Sequence, residues 1–311
     1  MHAKLFTGRS NPHLAQRIAD YLEMELGEIS IKDFSDGELW VRYDENIRGQ
    51  DVFIIQSTNP PANNIMELLL MLDAAKRASA RRVTAVIPYY GYARQDRKDQ
   101  PRVPISAKLL ADMINAAGAD RVLTMDLHSA QIQGYFDIPF DHLYSKTALI
   151  SHLKENEVTE NLVLLSPDVG SIPLSRSYAK LLNASLAIID KRRPQANRSE
   201  VMHLIGEVEG KNVLIMDDMV DTAGTLVAAA RTAKENGALS VMAACTHAVL
   251  SGPAIERVQN SPVEKLIVSD TIQIPREKVF EKLEMVSVAP VFGEAILRIH
   301  NEESISSLFN F

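Results

Sequence analysis

The sequence has 311 residues, of which 46% are hydrophobic and 23% are charged. This length and composition predict folded domains with hydrophobic cores and exclude a disordered or fibrous chain. Lys and Arg number 33 against 40 Asp and Glu, a formal net charge of −7, which argues against general binding to nucleic acid or to an anionic membrane. A single cysteine, Cys245, and the lack of any run of 18 apolar residues favour a cytoplasmic protein.

Short apolar runs alternate with helical patterns along the first half of the chain. The predicted helices cover 13–26, 63–80 and 106–117, and the predicted strands cover 4–6, 52–56, 82–87 and 121–125. Residues 31–43 differ, because they predict two extended segments around an exposed turn at 35–37. The alternation of strands and helices predicts an α/β fold with a mainly parallel sheet.

The same pattern restarts near residues 139–146, which we interpret as a domain boundary. The second half predicts further strands and helices, with strands at 162–165, 186–189, 213–216, 241–246 and 265–268. We therefore expect two tandem α/β domains, each a mainly parallel sheet flanked by helices. Their predicted limits are 1–146 and 147–296, and we expect the C-terminal tail, 297–311, to pack on the first domain.

The segment 211–235 combines an apolar run, an acidic cluster, a Thr/Gly turn and an Ala-rich helix. Asp217 and Asp218 follow the predicted strand 213–216 and so lie at the carboxyl edge of the sheet, where ligands bind in open α/β folds. After them comes a loop of small residues that can wrap an anion with backbone N–H groups at a helix start. We call this loop, Asp221, Thr222, Ala223, Gly224 and Thr225, the phosphate loop.

The pattern predicts a site for a phosphorylated sugar, in which carboxylates accept hydrogen bonds from the sugar hydroxyls. A simpler interpretation is that Asp221 only caps a helix and that Asp217 and Asp218 are solvated turn residues. The motif DDMVDTAGT at 217–225 is similar to the signature of the type I phosphoribosyltransferase fold, which includes ribose-phosphate pyrophosphokinases. That resemblance implies that the acids hold ribose hydroxyls and the loop holds the 5-phosphate.

Other motifs extend the resemblance to ribose-phosphate pyrophosphokinases over nearly the whole chain. They include FSDGE at 34–38, YGYARQDRK at 90–98, and NEESISSLF at 301–309. The resemblance implies that FSDGE reaches into the ATP site of a neighbouring subunit, and hence a homo-oligomer assembled from dimers to a hexamer. The ATP-binding residues it implies are Phe34, Asp36, Gly37, Glu38, Arg94 and Gln95.

Two strand-end motifs are candidates for a magnesium site. His128 follows the predicted strand 121–125, and Asp168 follows 162–165. A lone His is usually structural, and an Asp at such a place is often a helix N-cap. The segments MDLHSAQIQGYFDIP and SPDVGS nevertheless resemble the family's magnesium-binding motifs. The resemblance therefore implies Mg²⁺ as the cofactor, with His128 and Asp168 as ligands.

The basic segment DKRRPQANRSEVM at 190–202 resembles the catalytic loop of the same family. The resemblance implies that Lys191 and Arg193 stabilise a transferring phosphoryl group, a task that depends mainly on positioning and charge. It also implies pyrophosphoryl transfer from ATP to ribose 5-phosphate, with inorganic phosphate as an activator. Two alternatives stay open: a phosphoribosyltransferase, and a non-catalytic homologue, which is suggested by Ser171 and Leu174 where the family usually has Gly and Arg.

Overall fold

The computed structural model describes residues 3–156, 160–192 and 201–309. The chain divides into two compact units. Among the described residues, the first unit comprises 3–144, Thr271–Gln273 and 288–309. The second unit is made of Ser145–Asp270 and Ile274–Ser287. The chain thus enters the second unit two residues before the predicted boundary and returns twice to the first.

The first unit is built on a five-stranded parallel sheet in the order β1-β4-β5-β6-β7. Its helices are α1 (Pro12–Tyr21), α2 (Asn63–Arg77) and α3 (Ser106–Ala117). Its strands are β1 (Ala3–Thr7), β2 (Ile29–Asp33), β3 (Leu39–Tyr43), β4 (Asp51–Ile55), β5 (Arg82–Ile87), β6 (Arg121–Met125) and β7 (Phe140–Leu143). The short strand β7 was not predicted, because its polar residues Asp141 and His142 interrupt the apolar pattern.

Strands β2 and β3 form a separate antiparallel hairpin, as the alternating pattern of residues 31–43 predicts. The hairpin packs on α2. The Tyr43 hydroxyl donates to the carbonyl of Met71 at 2.9 Å, and the Tyr43 ring meets Phe6 edge-on with centroids 4.7 Å apart. The base of the hairpin is therefore fixed to the core, while its turn projects from it.

The second unit contains a seven-stranded sheet in the order β10-β9-β8-β11-β12-β13-β14, in which only the β9–β10 pair is antiparallel among the described strands. Its strands are β8 (Leu162–Ser166), β9 (Ser185–Arg192), β10 (Val201–Ile205), β11 (Asn212–Val220), β12 (Ser240–Ala248), β13 (Lys265–Ser269) and β14 (Leu283–Val286). Its helices are α4 (Lys146–Glu155), α5 (Ile172–Leu182), α6 (Gly224–Glu235) and α7 (Ala254–Gln259).

The central strand β11 is buried on both faces, as its continuous apolar run predicts. Val213 and Ile215 pack into a core with α6, whereas Leu214 and Met216 pack into a second core with α4 and α5. The strand is longer than the predicted 213–216, because its pairing with β12 continues to Val220. Asp217 and Asp218 consequently lie within the strand, and the interpretation of these acids as turn residues is wrong.

The chain returns to the first unit through α8 (Ala289–His300), which packs against α1. Near its end, Nδ1 of His300 lies 2.9 Å from Oδ2 of Asp51, which is 1% exposed. Arg82 also hydrogen-bonds to Asp51 through Nε at 2.9 Å, and it donates to the carbonyl of Ile299 at 2.9 Å. The last helix is thereby tied to the beginnings of β4 and β5. Within the described ranges, no helix is long and apolar enough to cross a membrane.

Candidate functional site

The strand order of the second sheet reverses at β8. The chain passes from β8 through α5 to β9 on one side, and it later places β11 on the other side of β8. At such a switch point the connections leave in opposite directions and open a crevice at the carboxyl ends of the strands, where α/β proteins bind ligands. Asp168 follows β8, and Asp217 lies on β11, so both candidate acids border this crevice.

Ser171 joins the two acids. Its hydroxyl lies 2.8 Å from Oδ1 of Asp217 and 3.1 Å from Oδ1 of Asp168, and its backbone N–H donates to the same Asp168 oxygen at 3.0 Å. Ser171 is buried and stands immediately before α5. The residue that departs from the family's usual glycine is therefore part of the acidic site, a role that its sequence position did not indicate.

The environment of Asp217 favours its protonated form. Burial, the neighbouring charge of Asp218 and a smaller contribution from Asp168 raise the pKa of Asp217 to about 7, although the hydrogen bond from Ser171 opposes the shift. The backbone N–H of Asp218 also donates to Oδ1 of Asp217 at 3.0 Å. A carboxyl group whose pKa lies near neutral pH can either accept or donate a hydrogen bond, which suits it to binding sugar hydroxyls.

The phosphate loop connects β11 to α6. Ala223 has φ 59° and ψ 10°, a left-handed conformation, and α6 begins at the next residue, Gly224. The N-cap position is Ala223, whose methyl side chain accepts no hydrogen bond, so the interpretation of Asp221 as the N-cap residue is wrong. The first N–H groups of a helix have no partner within the helix itself and can bind an anion. The fold thus brings the predicted anion site beside Asp217.

The hairpin turn of the first unit carries Phe34, Asp36, Gly37 and Glu38. Gly37 has φ 92°, and the side chain of Phe34 is 54% exposed. Asp36 accepts the N–H of Glu38 at 3.0 Å, which rigidifies the turn. An exposed aromatic ring on a fixed turn is suited to contact a partner or a base.

Arg9 connects this hairpin to α2, which its place in the sequence did not indicate. Its guanidinium bonds to Asp33 at 2.6 Å and, through Nε, to the buried carboxylate of Glu67 at 2.7 Å. These bonds raise the pKa of Arg9 and lower that of Asp33. Asp33 immediately precedes Phe34, so the pair fixes one side of the turn.

The loop with Arg94 and Gln95 follows β5 in the first unit. It begins with a close approach, because a Cβ on Gly91 would lie 2.2 Å from the carbonyl oxygen of Thr58. The side chain of Gln95 accepts a hydrogen bond from the hydroxyl of Ser106 at the start of α3. Arg94 and Gln95 are both exposed on this loop, which these two contacts restrain.

His128 also belongs to the first unit, in the loop after β6. The loop starts with Asp126 in a left-handed conformation at φ 40°, and the N–H of Leu127 donates to Nε2 of His142 at 2.9 Å. His128 itself is exposed. The accepting Nε2 requires that the imidazole proton of His142 resides on Nδ1. The backbone before His128 is therefore hydrogen-bonded to a side chain of β7, one of the strands that were not predicted.

In residues 3–156, 160–192 and 201–309 no group of three or more His, Cys, Asp or Glu side chains is arranged to hold a metal ion. Mg²⁺ commonly uses one or two carboxylates and takes its other ligands from water and substrate phosphates. The half-buried carboxylate of Asp168 at the switch point fits that mode of binding.

Of the two predicted catalytic residues, Lys191 lies in β9, where its backbone pairs with that of Met202 in β10. Arg193 lies outside the described residues.

The fold and the site define a class. Parallel α/β units with acids and a phosphate loop at the carboxyl edge are phosphoribosyltransferase-like domains. Family comparison agrees with that class. The N-terminal domain of ribose phosphate pyrophosphokinase matches residues 3–118, and the phosphoribosyl synthetase-associated domain matches residues 191–310.

Individual relatives match over nearly the full length. The ribose-phosphate pyrophosphokinase of Chlorobaculum tepidum is 59% identical over 307 residues, which are 99% of this chain and 95% of that protein. The one from Caldanaerobacter subterraneus subsp. tengcongensis is 56% identical, with 98% and 97% covered. The crystal structure of phosphoribosylpyrophosphate synthetase from Mycobacterium smegmatis matches with a TM-score of 0.91, at 41% identity over 96% of this chain and 99% of that one. The chain belongs to the ribose-phosphate pyrophosphokinase family.

Proposed function

We propose that the protein transfers the pyrophosphoryl group of ATP to the anomeric hydroxyl of ribose 5-phosphate, giving phosphoribosyl pyrophosphate and AMP. The observation that carries the proposal is 59% identity, over 99% of the chain, to a ribose-phosphate pyrophosphokinase. The acids and the phosphate loop at the switch point support it independently, because they offer complementary groups for a sugar phosphate.

Ribose 5-phosphate binds to the second unit in this proposal. The N–H groups of the phosphate loop and of the first turn of α6 hold the 5-phosphate, with the hydroxyls of Thr222 and Thr225 as further donors. Asp217 and Asp218 bind the ribose hydroxyls, and Asp221 is the first residue of the phosphate loop.

ATP is bound by residues of the first unit. Phe34 contacts the adenine ring, Asp36 and Glu38 bind polar groups of the nucleoside, and Gly37 allows the turn to form. Arg94 and Gln95 bind the phosphates, for which a guanidinium is well suited. Because the hairpin projects from its own unit, we assign it to the ATP site of a neighbouring subunit. A homo-oligomer follows from that assignment, and the resemblance to the family implies dimers that assemble to a hexamer.

In the transfer step, the anomeric oxygen forms a bond to the β-phosphorus while the bond between that phosphorus and the α,β-bridging oxygen breaks. AMP leaves with the bridging oxygen, and the hydroxyl proton passes to solvent. Lys191 and Arg193 neutralise the transferring group, whose charge is spread over its oxygens in a loose transition state. When Mg²⁺ is bound it supplies positive charge to the phosphates, and Asp168 and His128 are the residues we assign to hold it.

Inorganic phosphate is proposed as an activator, and the cytoplasm as the site of action. The former rests on the similarity of the tail motif around Ser304 and Ser306 to the family's regulatory tail. The cytoplasmic location rests on the single cysteine, Cys245, which is buried and forms no disulfide.

The direct test is to incubate the full-length protein with ATP, ribose 5-phosphate and Mg²⁺, with and without inorganic phosphate, and to measure AMP and phosphoribosyl pyrophosphate. Equal amounts of both products are expected. Consumption of phosphoribosyl pyrophosphate with a nucleobase, in the absence of AMP formation, would instead identify a phosphoribosyltransferase. No AMP above background under either condition would identify a non-catalytic homologue.

A further inference from the structure

The chain that follows β12 hydrogen-bonds to the entrance of the phosphate loop. The N–H groups of Val249 and Leu250 donate to the carbonyl of Val220 at 3.0 and 3.1 Å. The N–H of Ser251 donates to the carbonyl of Asp221 at 2.9 Å. We call residues 249–257 the bracing segment, because its N–H groups donate to consecutive carbonyl groups at the loop entrance.

The next carbonyl in the loop, that of Thr222, accepts from a side chain of the same segment. Nη1 of Arg257, an exposed residue of α7, donates to it at 3.0 Å. A Cβ placed on Gly224 would lie 3.5 Å from this nitrogen, so the guanidinium also packs against the first residue of α6. Three successive carbonyls, those of Val220, Asp221 and Thr222, therefore face the bracing segment.

The direction of these carbonyls fixes the direction of the loop's N–H groups. In a planar trans peptide the C=O and the N–H point to opposite sides. Since the carbonyls of 220, 221 and 222 face the bracing segment, the N–H groups of Asp221, Thr222 and Ala223 face away from it. Converging N–H groups of this kind form an anion nest, which here continues into the first turn of α6.

We infer that Arg257 is a positioning residue for the 5-phosphate of ribose 5-phosphate, acting from behind the phosphate loop; the identity of this ligand rests on the proposed function. Arg257 holds the peptide between Thr222 and Ala223 with its N–H toward the phosphate. This restraint matters because Ala223 is left-handed, a conformation that disfavours a residue with a Cβ. Without the guanidinium, rotation of that peptide turns one donor away from the anion.

The charge of Arg257 has a second effect. The loop contains no Lys or Arg, whereas it does contain Asp221 and is preceded by Asp217 and Asp218. A doubly charged phosphate bound there is repelled by ionised carboxylates, and a guanidinium behind the loop offsets part of that repulsion. Hydrogen bonding and charge can be separated, because glutamine can donate to the Thr222 carbonyl without carrying a charge.

The experiment measures ribose 5-phosphate binding by calorimetry without ATP, together with kcat and KM for each substrate, on full-length Arg257→Ala, Arg257→Gln and Arg257→Lys. Ala is expected to weaken ribose 5-phosphate binding about tenfold, the size of losing one charged hydrogen bond. Gln and Lys are expected to retain part of the affinity. The KM for ATP should stay within about twofold of wild type, since Arg257 acts only on the phosphate loop.

Two control variants test for general effects of charge and helix stability. Arg231→Ala removes the same charge from an exposed position on α6. Lys282→Ala removes the ammonium group that donates to the carbonyls of Val258 and Gln259 at the far end of α7. Neither variant should change ribose 5-phosphate binding.

Wild-type affinity in Arg257→Ala would overturn the inference, as would equal losses for ATP and ribose 5-phosphate or an equal loss in the Lys282 control. These outcomes are distinct from failure of the proposed function, in which the wild-type protein itself forms no AMP. Circular dichroism of each variant identifies any that has not folded, and the Gln and Lys variants then decide the result.

Discussion

The hydroxyl of Ser171 lies 2.8 Å from Oδ1 of Asp217, although the two residues are 46 positions apart in the sequence. This bond lowers the pKa of Asp217 against the upward effects of burial and of Asp218. Replacing Ser171 with Ala should therefore raise the pKa of Asp217 further above about 7. Carbon-13 NMR titration of Asp-labelled protein, with the signal assigned from Asp217→Asn, measures this shift. An unchanged or lower pKa would contradict the hydrogen bond, and Ser106→Ala in the first unit is a matched control.

Asp217 also makes stability depend on pH. Its pKa in the folded protein is raised to about 7 from 3.8, so the native state binds the proton more tightly than the unfolded state does. The resulting stabilisation is fully present below pH 4 and is lost as pH rises through 7.

Asp217→Asn removes the charge that becomes unfavourable. The variant should be more stable than wild type at pH 8, by on the order of 2–4 kcal/mol, with little difference at pH 4. Urea unfolding at both pH values measures the two free energies. A variant that is less stable at pH 8, or a difference that does not depend on pH, would refute this account of the acid pair.

In the first unit, Asp51→Ala should be strongly destabilising. Asp51 is 1% exposed and bonds to both Arg82 and His300. Removing one partner of a buried ion pair leaves the other uncompensated, at a cost of about 3–5 kcal/mol. Urea unfolding again provides the measurement. Asp73→Ala is the control, since it breaks an exposed pair with Arg77 that is worth less than about 1 kcal/mol; similar losses in both variants would contradict the prediction.

The left-handed conformation of Ala223 predicts different effects for two substitutions. A left-handed residue with a Cβ costs roughly 1–2 kcal/mol, and a β-branched side chain is worse than Ala, whereas Gly has no such cost. Ala223→Val should lower the thermal unfolding temperature and raise the KM for ribose 5-phosphate. Ala223→Gly should preserve both quantities. Equal behaviour of the Val and Gly variants would show that the loop does not need this conformation.

Lys191→Ala tests the catalytic assignment that rests on the resemblance of the 190–202 segment. Loss of one preorganised charge typically costs about a hundred- to a thousandfold in kcat. The unfolding midpoint should change little. Lys211→Ala is a suitable control, because Lys211 hydrogen-bonds to Asn161 at 2.7 Å and has no assigned role in the reaction. A kcat close to wild type in Lys191→Ala would remove this residue from the mechanism.

The amino-acid pattern predicted the parts of the fold that depend on local burial. The run 213–216 is apolar because both faces of β11 are covered, so its strand was predictable. The continuation to Val220 was not, because it depends on pairing with β12 rather than on apolarity. Edge strand β7 was missed for a related reason. Apolar and polar residues alternate poorly in Phe140–Leu143, and the segment is a strand because it pairs with β6.

The candidate site was predictable where one short segment carries it. The phosphate loop and its acids are continuous in sequence, so composition and resemblance pointed to them together. The contact of Ser171 with Asp217 and that of Arg257 with Thr222 join residues distant in the chain, and only the folded topology brings them together. At Ser171 the departure from the family pattern suggested a loss of function, whereas the structure gives that hydroxyl two carboxylate partners.

The division of the chain has a consequence for biosynthesis. The first unit includes α8, yet α8 is translated after every strand of the second unit. A nascent chain that has emerged only through Tyr144 therefore lacks the helix that packs on α1 and the His300 imidazole that meets Asp51. The first unit can therefore complete its folding only after the whole second unit has been synthesised. A premature stop near residue 288 would remove α8 and so destabilise the part of the protein that was synthesised first.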